Sequence, residues 1–514
     1  IVKIKFSFIF YIVNIIKNMV DVERVVPKEL NYDSALPLAI ESRNNRRVFL
    51  PNNGQTFTDT ASNIIRIDIN ADSMLDTAHS YLQATLRPTN GDVGSFGWTG
   101  ASWIKRLRIE SGGVVLEDID EYHRLYALAT NWTQNWSGVS ESCSQSMNNS
   151  TLTGGLMDTN AGDIAAVVNH ELSTAACGNV GDDGARDAKY ADDQDFTISV
   201  PLLSGLLNLE GGKYLPLVMM NAGITLEIHL ATGAEVCTSA LGFASEYQVS
   251  SVQYIGQLID LDRSFYDRMR MVMEAQGGVL QLAGTSWRHY LNTAQSNNGS
   301  VVVNIPARLK SIKSIFNTFC DSAKYASDTS LGPTVDFGCP TNPNTDATAQ
   351  FRIGSVVYPA KPITFNIGDQ FDAVDARSYI NTAGIGMSEA FNETKKAWGK
   401  IGDTHGSGVV GFGNFRGQSG SLRSNAAPDC VVSTGVNSNM LFFPMFCLGY
   451  DFESFQRSAL ESGVNTADRS LPVILELTGF QSGNAGAQTA RIDTYVMMDA
   501  IFYVSLDGTC SVSV

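Results

Sequence analysis

The sequence predicts an all-β protein built from two copies of one domain, and three observations carry that reading. The first is composition: 25 Phe, 17 Tyr and 46 Gly in 514 residues favour strands and turns over helices. The second is period-two patterning, clearest where Ile224, Leu226, Ile228 and Leu230 alternate with Thr225, Glu227 and His229, as in a half-buried strand. The third is repetition. FTISVPL from Phe196, KYLPLVMMNAGITLEIHLA and YQVSSVQYIGQLIDLD return in the same order as LFFPMFCL from Leu441, DRSLPVILELTGF and ARIDTYVMMDAIFYVSLDG. Phe196 and Leu441 lie 245 positions apart and Tyr247 and Arg491 lie 244 apart, so internal spacing is kept to within a residue. Leu215-Pro216 and Leu471-Pro472 mark the matching turns, and a fainter match pairs WIKRLRIESGGVVLED from Trp103 with PARLKSIKSIFNTFCD from Pro306. The alternative is coincidence between generic strand patterns; duplication with extra loop in the second copy is the more economical reading.

A chain of 514 residues is too long for a single hydrophobic core. With 44% hydrophobic and 17% charged residues it has the balance of a folded, soluble protein. The net charge of −16 excludes a broadly basic, nucleic-acid-coating surface, because phosphate affinity comes from clustered Lys and Arg. A contact of that kind must be local. The candidate is ESRNNRR, whose Arg43, Arg46 and Arg47 read either as an arm reaching a nucleic acid or neighbouring subunit, or as a solvated basic turn. The eight Cys include no CxxC pair and no Cys/His cluster, which argues against zinc and for small apolar thiols in a reducing compartment.

Taken in order, residues 1–18 combine Lys3 and Lys5 with an apolar run too short for the roughly 20 residues a bilayer needs. They read as translated upstream sequence ahead of Met19, or as a short leader or anchor. Residues 19–60, punctuated by Pro27, Pro37, Pro51 and Gly54, read as an N-terminal arm. The first domain, 61–265, opens with Ile65, Ile67 and Ile69 alternating with Arg66 and Asp68. SYLQATLRP follows, then two strands around the Gly112-Gly113 turn. Asp118 and Glu121 have capping-box spacing, and Tyr122, Leu125, Tyr126 and Ala129 then share a helical face, so a short helix is inserted among strands. Residues 131–195 are an elaborated surface loop whose Asp cluster lacks the spacing of a calcium loop.

A linker or short helix, 266–284, leads into the second domain, 285–514. There SVVVNIPARLKSIKSIF supplies early strands, and Pro359 and Pro362 keep much of FRIGSVVYPAKPITF out of a central ladder. After Ser388, Ala390, Phe391, Thr394, Ala397 and Trp398 share one face of a second inserted helix that stops near Gly399. Residues 402–440 form another long loop.

No chemistry-bearing motif stands out. GSGVVG at 406–411 matches GxGxxG in letters but has loop on both sides, without the strand and helix a dinucleotide site requires. GxSxG, HExxH and P-loop patterns are missing, and the six His are dispersed. His229 reads as a solvent-facing or hydrogen-bonded side chain. The expectation is a protein that is not an enzyme, with no cofactor, metal or small-molecule substrate.

SYLQATLRP, ASWIKRLRIESGGVVLEDIDEY, FRIGSVVYPAKPI and the KYLPL element, by their order and spacing along the chain, resemble the major capsid proteins of polinton-like viruses, virophages and related double-stranded DNA viruses over about 52–506. The resemblance implies a double jelly roll: two tandem eight-stranded jelly rolls with short inserted helices and long surface loops. It implies a homotrimer of pseudo-hexameric outline tiling an icosahedral shell around a DNA genome. It further implies contacts with neighbouring capsomers, penton and minor capsid proteins, and a location in the virion after assembly inside the infected host cell. The arm with Arg43, Arg46 and Arg47 would then face the genome or a partner. The alternative is a secreted or surface jelly-roll protein that stacks sugars on Trp98, Trp103, Trp132 and Trp136.

Overall fold

The structure, a computed structural model, describes residues 41–89, 99–133, 195–236, 246–275, 277–322, 325, 337–340, 346–365, 388–399, 431–432, 441–442, 446–454, 462–468, 471–482 and 489–514. The chain divides into the units Ile1–Ser42 and Arg43–Val514, and the described residues lie almost wholly in the second.

Its first half contains β1 (Ser42–Phe49), β2 (Thr56–Thr58), β3 (Ile64–Ile69), β4 (Met74–Thr89), β5 (Ile104–Ser111) and β6 (Val114–Ile119). Helix α1 (Tyr122–Thr133) follows, then β7 (Phe196–Val200), β8 (Leu215–Pro216), β9 (Ile224–Leu230) and β10 (Glu246–Leu261). Helix α2 (Arg263–Ala275) leads into the second half. That half contains β11 (Val279–Ala294), β12 (Asn297–Ile305), β13 (Ile312–Asp321), β14 (Ala347–Ile353), β15 (Val356–Phe365), α3 (Ser388–Ala397), β16 (Val431–Val432), β17 (Leu441–Phe442), β18 (Leu448–Asp451), β19 (Val473–Gln481), β20 (Ala490–Ser505) and β21 (Cys510–Ser513).

Each half is a pair of antiparallel sheets with one strand order. In the first the orders are β1-β10-β4-β7 and β3-β9-β5-β6; in the second they are β11-β20-β13-β18 and β12-β19-β14-β15. Numbering these eight strands in chain order within each half gives 1-8-3-6 and 2-7-4-5 both times, the connectivity of two Greek keys. The short strands β2, β8 and β21 add to these paths, so neither half is limited to eight strands. The inserted helices follow the fifth strand in both halves. Duplication is therefore a matter of topology as well as spacing, and β10 and β20 are each 16 residues long.

The sheets form because alternation puts one side of every strand into a core. Ile65, Ile67 and Ile69 are buried while Arg66 and Asp68 are exposed. In β4 and β10, Leu82, Leu86, Val249 and Tyr254 point inward across the same sandwich. At roughly 1.5–3 kcal/mol for each fully buried large aliphatic side chain, such rows are the main force holding the sheets face to face. In the second half Ile315, Phe319, Phe351, Leu475, Ile492 and Val496 do the same, and Trp398 stacks on Phe316 at 4.1 Å. Helix α1 is buried on nearly every side, unlike a surface helix with one apolar stripe.

Three details differ from the sequence reading. WIKRLRIE forms β5, the fourth strand of its half, whereas KSIFNTFCD forms β13, the third, so the fainter match aligned unlike strands. Both segments mix basic and apolar residues, and that shared texture produced the match. Pro472 directly precedes β19, but Leu215-Pro216 forms β8 and bonds to Met74 and Leu75, so the two Leu-Pro pairs are not equivalent turns. Residues 42–49, within the stretch read as an arm, are a strand at the end of a sheet, and the expected linker holds most of α2 and the start of β11. Pro359 and Pro362 lie in β15, the terminal strand of its sheet, where a missing N–H is least costly.

Candidate functional site

The most elaborate polar construction among the described residues is the junction between the two halves. It starts at the hairpin of β5 and β6, where Gly112 and Gly113 take φ of 56° and 83°, a geometry glycine adopts without strain. The hairpin delivers Glu117, 2% exposed, to the border. Its carboxylate accepts hydrogen bonds from the Leu206 amide (3.0 Å), the Gly205 amide (2.9 Å), the Ser204 hydroxyl and the Ser286 hydroxyl of β11 (2.5 Å). A buried carboxylate is costly unless its lone pairs are used, and here they are. Beside it the two backbones touch: a Cβ placed on Gly284 would lie 2.2 Å from the Gly205 carbonyl oxygen.

A second cluster lies where α1 begins. Glu121, 5% exposed with φ of 50°, binds Arg491 of β20 at 3.0 Å, and accepts a hydrogen bond from the Tyr325 hydroxyl. Its backbone carbonyl accepts from the Tyr495 hydroxyl at 3.2 Å. On the next turn Arg124 lies 3.3 Å from Asp493, which also meets His289 Nε2 at 2.9 Å and Arg491 at 3.0 Å. Aromatic faces take up the remaining charge: Arg491 sits 3.6 Å over the Tyr325 ring, and Arg124 sits 4.8 Å over Phe337. Burial alone would raise the Asp493 carboxyl, but Arg124, the His289 hydrogen bond and Arg491 outweigh it and hold it well below the carboxylate range. His123 is pushed down by burial, against the pull of Glu121 and Glu235, and is therefore neutral at pH 7. Desolvation lifts the Tyr325 and Tyr495 hydroxyls far above their usual range.

Further along, Trp132 of α1 meets Phe391 of α3 at 5.7 Å, and the Asn221 amide donates to the Gly508 carbonyl at 3.1 Å. A cavity of about 420 Å³ opens at the same border, lined by Arg106, Asp118, Arg288, His289 and Arg308 among others. Arg106 and Asp118 neutralise each other through two hydrogen bonds. The arrangement joins the two sandwiches through buried polar contacts. Its carboxylates already meet protein donors: Glu117 the Gly205 and Leu206 amides, Glu121 Arg491, and Asp493 Arg124 and His289.

The basic residues singled out from sequence lie elsewhere. Arg43, Arg46 and Arg47 are all exposed on β1. Arg46 donates to the Tyr81 hydroxyl at 3.0 Å, and Arg47 lies 5.1 Å over the Phe49 ring. They share a strand without converging on one site. His229 is half-buried and meets Glu227 at 2.8 Å, a hydrogen-bonded position. Cys320, Cys339, Cys447 and Cys510 are buried. Among the described residues no group of three His, Cys, Asp or Glu is placed to hold a metal, and no helix is long and apolar enough to cross a membrane. GSGVVG at 406–411 and the loop 134–194 with its Asp cluster lie outside the described residues. Of the four Trp considered for sugar stacking, Trp103 and Trp132 are completely buried, while Trp98 and Trp136 lie outside the described residues.

Sequence reasoning missed the junction residues. The available signal was HR at 123–124 inside an otherwise apolar helix, and the RID at 491–493 opening an apolar strand. Charges in such settings are buried only when paired, but nothing local says with whom.

No protein-family model and no curated protein sequence matches the chain. Solved structures do. VP54 of PBCV-1, fitted into a reconstruction of the virophage Sputnik, aligns over 94% of this chain and 99% of its own with a TM-score of 0.53 and 10% identity. The PBCV-1 capsid protein in the quasi-atomic capsid model gives 94% and 99%, 0.51 and 9%. The Faustovirus major capsid protein gives 92% of each chain, 0.52 and 8%. Identities this low carry the fold, and the fold is the double jelly roll.

Proposed function

We propose that this double jelly roll is a viral major capsid protein, with a structural role rather than a catalytic one. The observation that carries the reading is the repeated 1-8-3-6 and 2-7-4-5 strand order, placed side by side across a buried junction, along a chain whose whole-length structural neighbours are major capsid proteins. The physical argument is one of tiling. A shell subunit must present several similar edges, and duplication supplies six from three chains, so a homotrimer of pseudo-hexameric outline is the natural capsomer. Capsomers of this kind tile an icosahedral shell around a DNA genome, with penton and minor capsid proteins closing the lattice. Such a protein resides in the virion and assembles inside the infected cell. The exposed basic strand with Arg43, Arg46 and Arg47 is assigned to contact with a neighbouring chain, a minor capsid protein or genomic DNA. The carbohydrate-binding alternative loses ground because Trp103 and Trp132 serve the core.

Light scattering on the purified chain, with electron microscopy of the same fraction, tests this. A species of three 55.5 kDa chains with a hexagonal outline, or closed shells, is the expected result. A stable monomer at high concentration in several salts would remove the capsid reading and send the protein to a glycan array.

A further inference from the structure

Strands of the second jelly roll bring one lysine and two carboxylates together away from solvent. The register of β13 against β20 slips between Ile312 and Ser314, so Lys313 is an extra residue without a counterpart on β20. Such a bulge re-aims the side chain it carries. Lys313 Nζ lies 3.2 Å from Asp499 Oδ1 on β20 and 3.5 Å from Oε1 of Glu453, which follows β18. The Phe452 amide donates to the Lys313 carbonyl at 2.7 Å, which fixes the Glu453 segment beside the bulge. The Lys313, Asp499 and Glu453 side chains are 12%, 1% and 8% exposed, and their chain neighbours Ile312, Met498, Ala500 and Phe452 are buried. Asp499 is held from its other side as well: the Ser311 hydroxyl donates to Oδ2 at 2.7 Å, and the Asp499 amide donates to the Ser311 carbonyl at 3.2 Å.

With every group ionised, one ammonium would face two buried carboxylates. Burial lifts the Glu453 carboxyl above its ordinary range, and Asp451 and Asp499 add to this against the pull of Lys313. Glu453 is therefore suited to carry and return a proton. For the Lys313 and Asp499 pair, loss of hydration offsets much of the attraction between the charges. The same desolvation favours a neutral amine beside a neutral acid, the forms that react with each other. The cluster at Lys105 lacks these features: that side chain is 33% exposed, and its second carboxylate, Glu121, is 4.0 Å away and bound to Arg491.

We infer that Lys313 and Asp499 join through an intramolecular amide bond, formed by the folded chain itself with Glu453 as proton carrier. Proton transfer within the ion pair gives the amine and the acid. The Nζ lone pair forms a bond to Asp499 Cγ, and the carbonyl electrons move onto the oxygen that Ser311 holds. Glu453 gives its proton to the other Cγ oxygen, which leaves as water as the carbonyl reforms, and Glu453 takes back a proton from Nζ. The sum is one ammonium and one carboxylate converted to one amide and one water, with Glu453 unchanged and no oxidant or co-reactant needed. The bond closes a loop between positions 186 apart and ties β13 to β20, the longest strand of the second half's inner ladder, so the chain cannot be drawn out between them even when unfolded. The inference concerns the fold of a single chain and does not depend on its assembly.

The test is mass spectrometry of the purified full chain after denaturation and digestion. A branched peptide should appear that contains both Lys313 and Asp499 and weighs one water less than its two linear parts. Lys313→Arg, which keeps the charge, should give only linear peptides. Glu453→Gln should slow formation by roughly 100-fold or more, read as the linked fraction over time after expression. The decisive reading is made on the unaltered chain, so it does not require either variant to fold. Lys313 and Asp499 recovered wholly in linear peptides from folded, unaltered protein would overturn the bond, and an unchanged rate in a folded Glu453→Gln chain would overturn the role of Glu453.

Discussion

The Arg124 guanidinium of the first jelly roll lies 3.3 Å from the Asp493 carboxylate of the second, and neither side chain is reached by solvent. Two sandwiches that differ in nearly every residue are thus locked by a charge pair that local sequence does not announce. A buried pair of this kind adds little net stability over an apolar substitute, but it is costly to break and it admits one register.

Replacing Arg124 by Ala should therefore destabilise the chain by about 3–5 kcal/mol, because Asp493 stays buried with weakened compensation. The double change Arg124→Met with Asp493→Leu should recover much of that loss. Urea denaturation of the three chains decides the matter: a double variant as unstable as the single one would show that His289 and Arg491, not the Arg124 pair, dominate the junction.

Stability should depend on pH through His123. Its folded pKa is depressed, so as pH falls below about 6.5 the unfolded chain takes up the proton first and stability declines until the folded group titrates. Asp493 is depressed too, and its contribution is complete above about pH 5 and lost progressively in acid. A His123→Gln chain should lose the slope between about pH 7 and 5.5 and keep the acid limb. Thermal midpoints measured across that range would count against the idea if both chains gave the same profile.

Gly284→Ala should wedge the halves apart. The added methyl would lie 2.2 Å from the Gly205 carbonyl, and relief requires backbone movement, costing about 1–3 kcal/mol or more. Gly113→Ala, with nothing within 4 Å of the new carbon, should cost only the roughly 1–2 kcal/mol of a left-handed backbone. Calorimetry that ranked the two in the opposite order would refute the close approach.

Glu117→Gln keeps the size of the side chain but turns an NH2 group toward donors. The Gly205 and Leu206 amides donate to different carboxylate oxygens, so one of them loses its acceptor at a cost of about 1–3 kcal/mol, and that amide proton should exchange faster. Unchanged exchange at both positions would mean that water replaces the carboxylate.

Removing Arg43, Arg46 and Arg47 together should leave the thermal midpoint where it is, since all three are exposed. The effect should fall on assembly yield or its salt dependence, followed by light scattering from low to high ionic strength. Assembly indifferent to the triple change would make the strand a solvated edge.

The sequence by itself determined the β character, the duplication and both inserted helices. Those properties are written in short-range pattern: period-two alternation at Ile224–Leu230, equal spacing of β10 and β20, and a helical apolar face from Ala390 to Trp398. They are legible because burial of one face imposes a period on the chain. The resemblance in order and spacing likewise led to the double jelly roll. It did not place β1, whose exposed, Arg-rich residues carry no core face to impose alternation and so read as an arm. Only the tertiary structure decided what joins the halves. Glu117 with Ser286, Gly205 with Gly284 and Arg124 with Asp493 are 169, 79 and 369 positions apart. A charged residue or glycine in sequence shows that a cost must be met, but the fold alone supplies the partner that meets it.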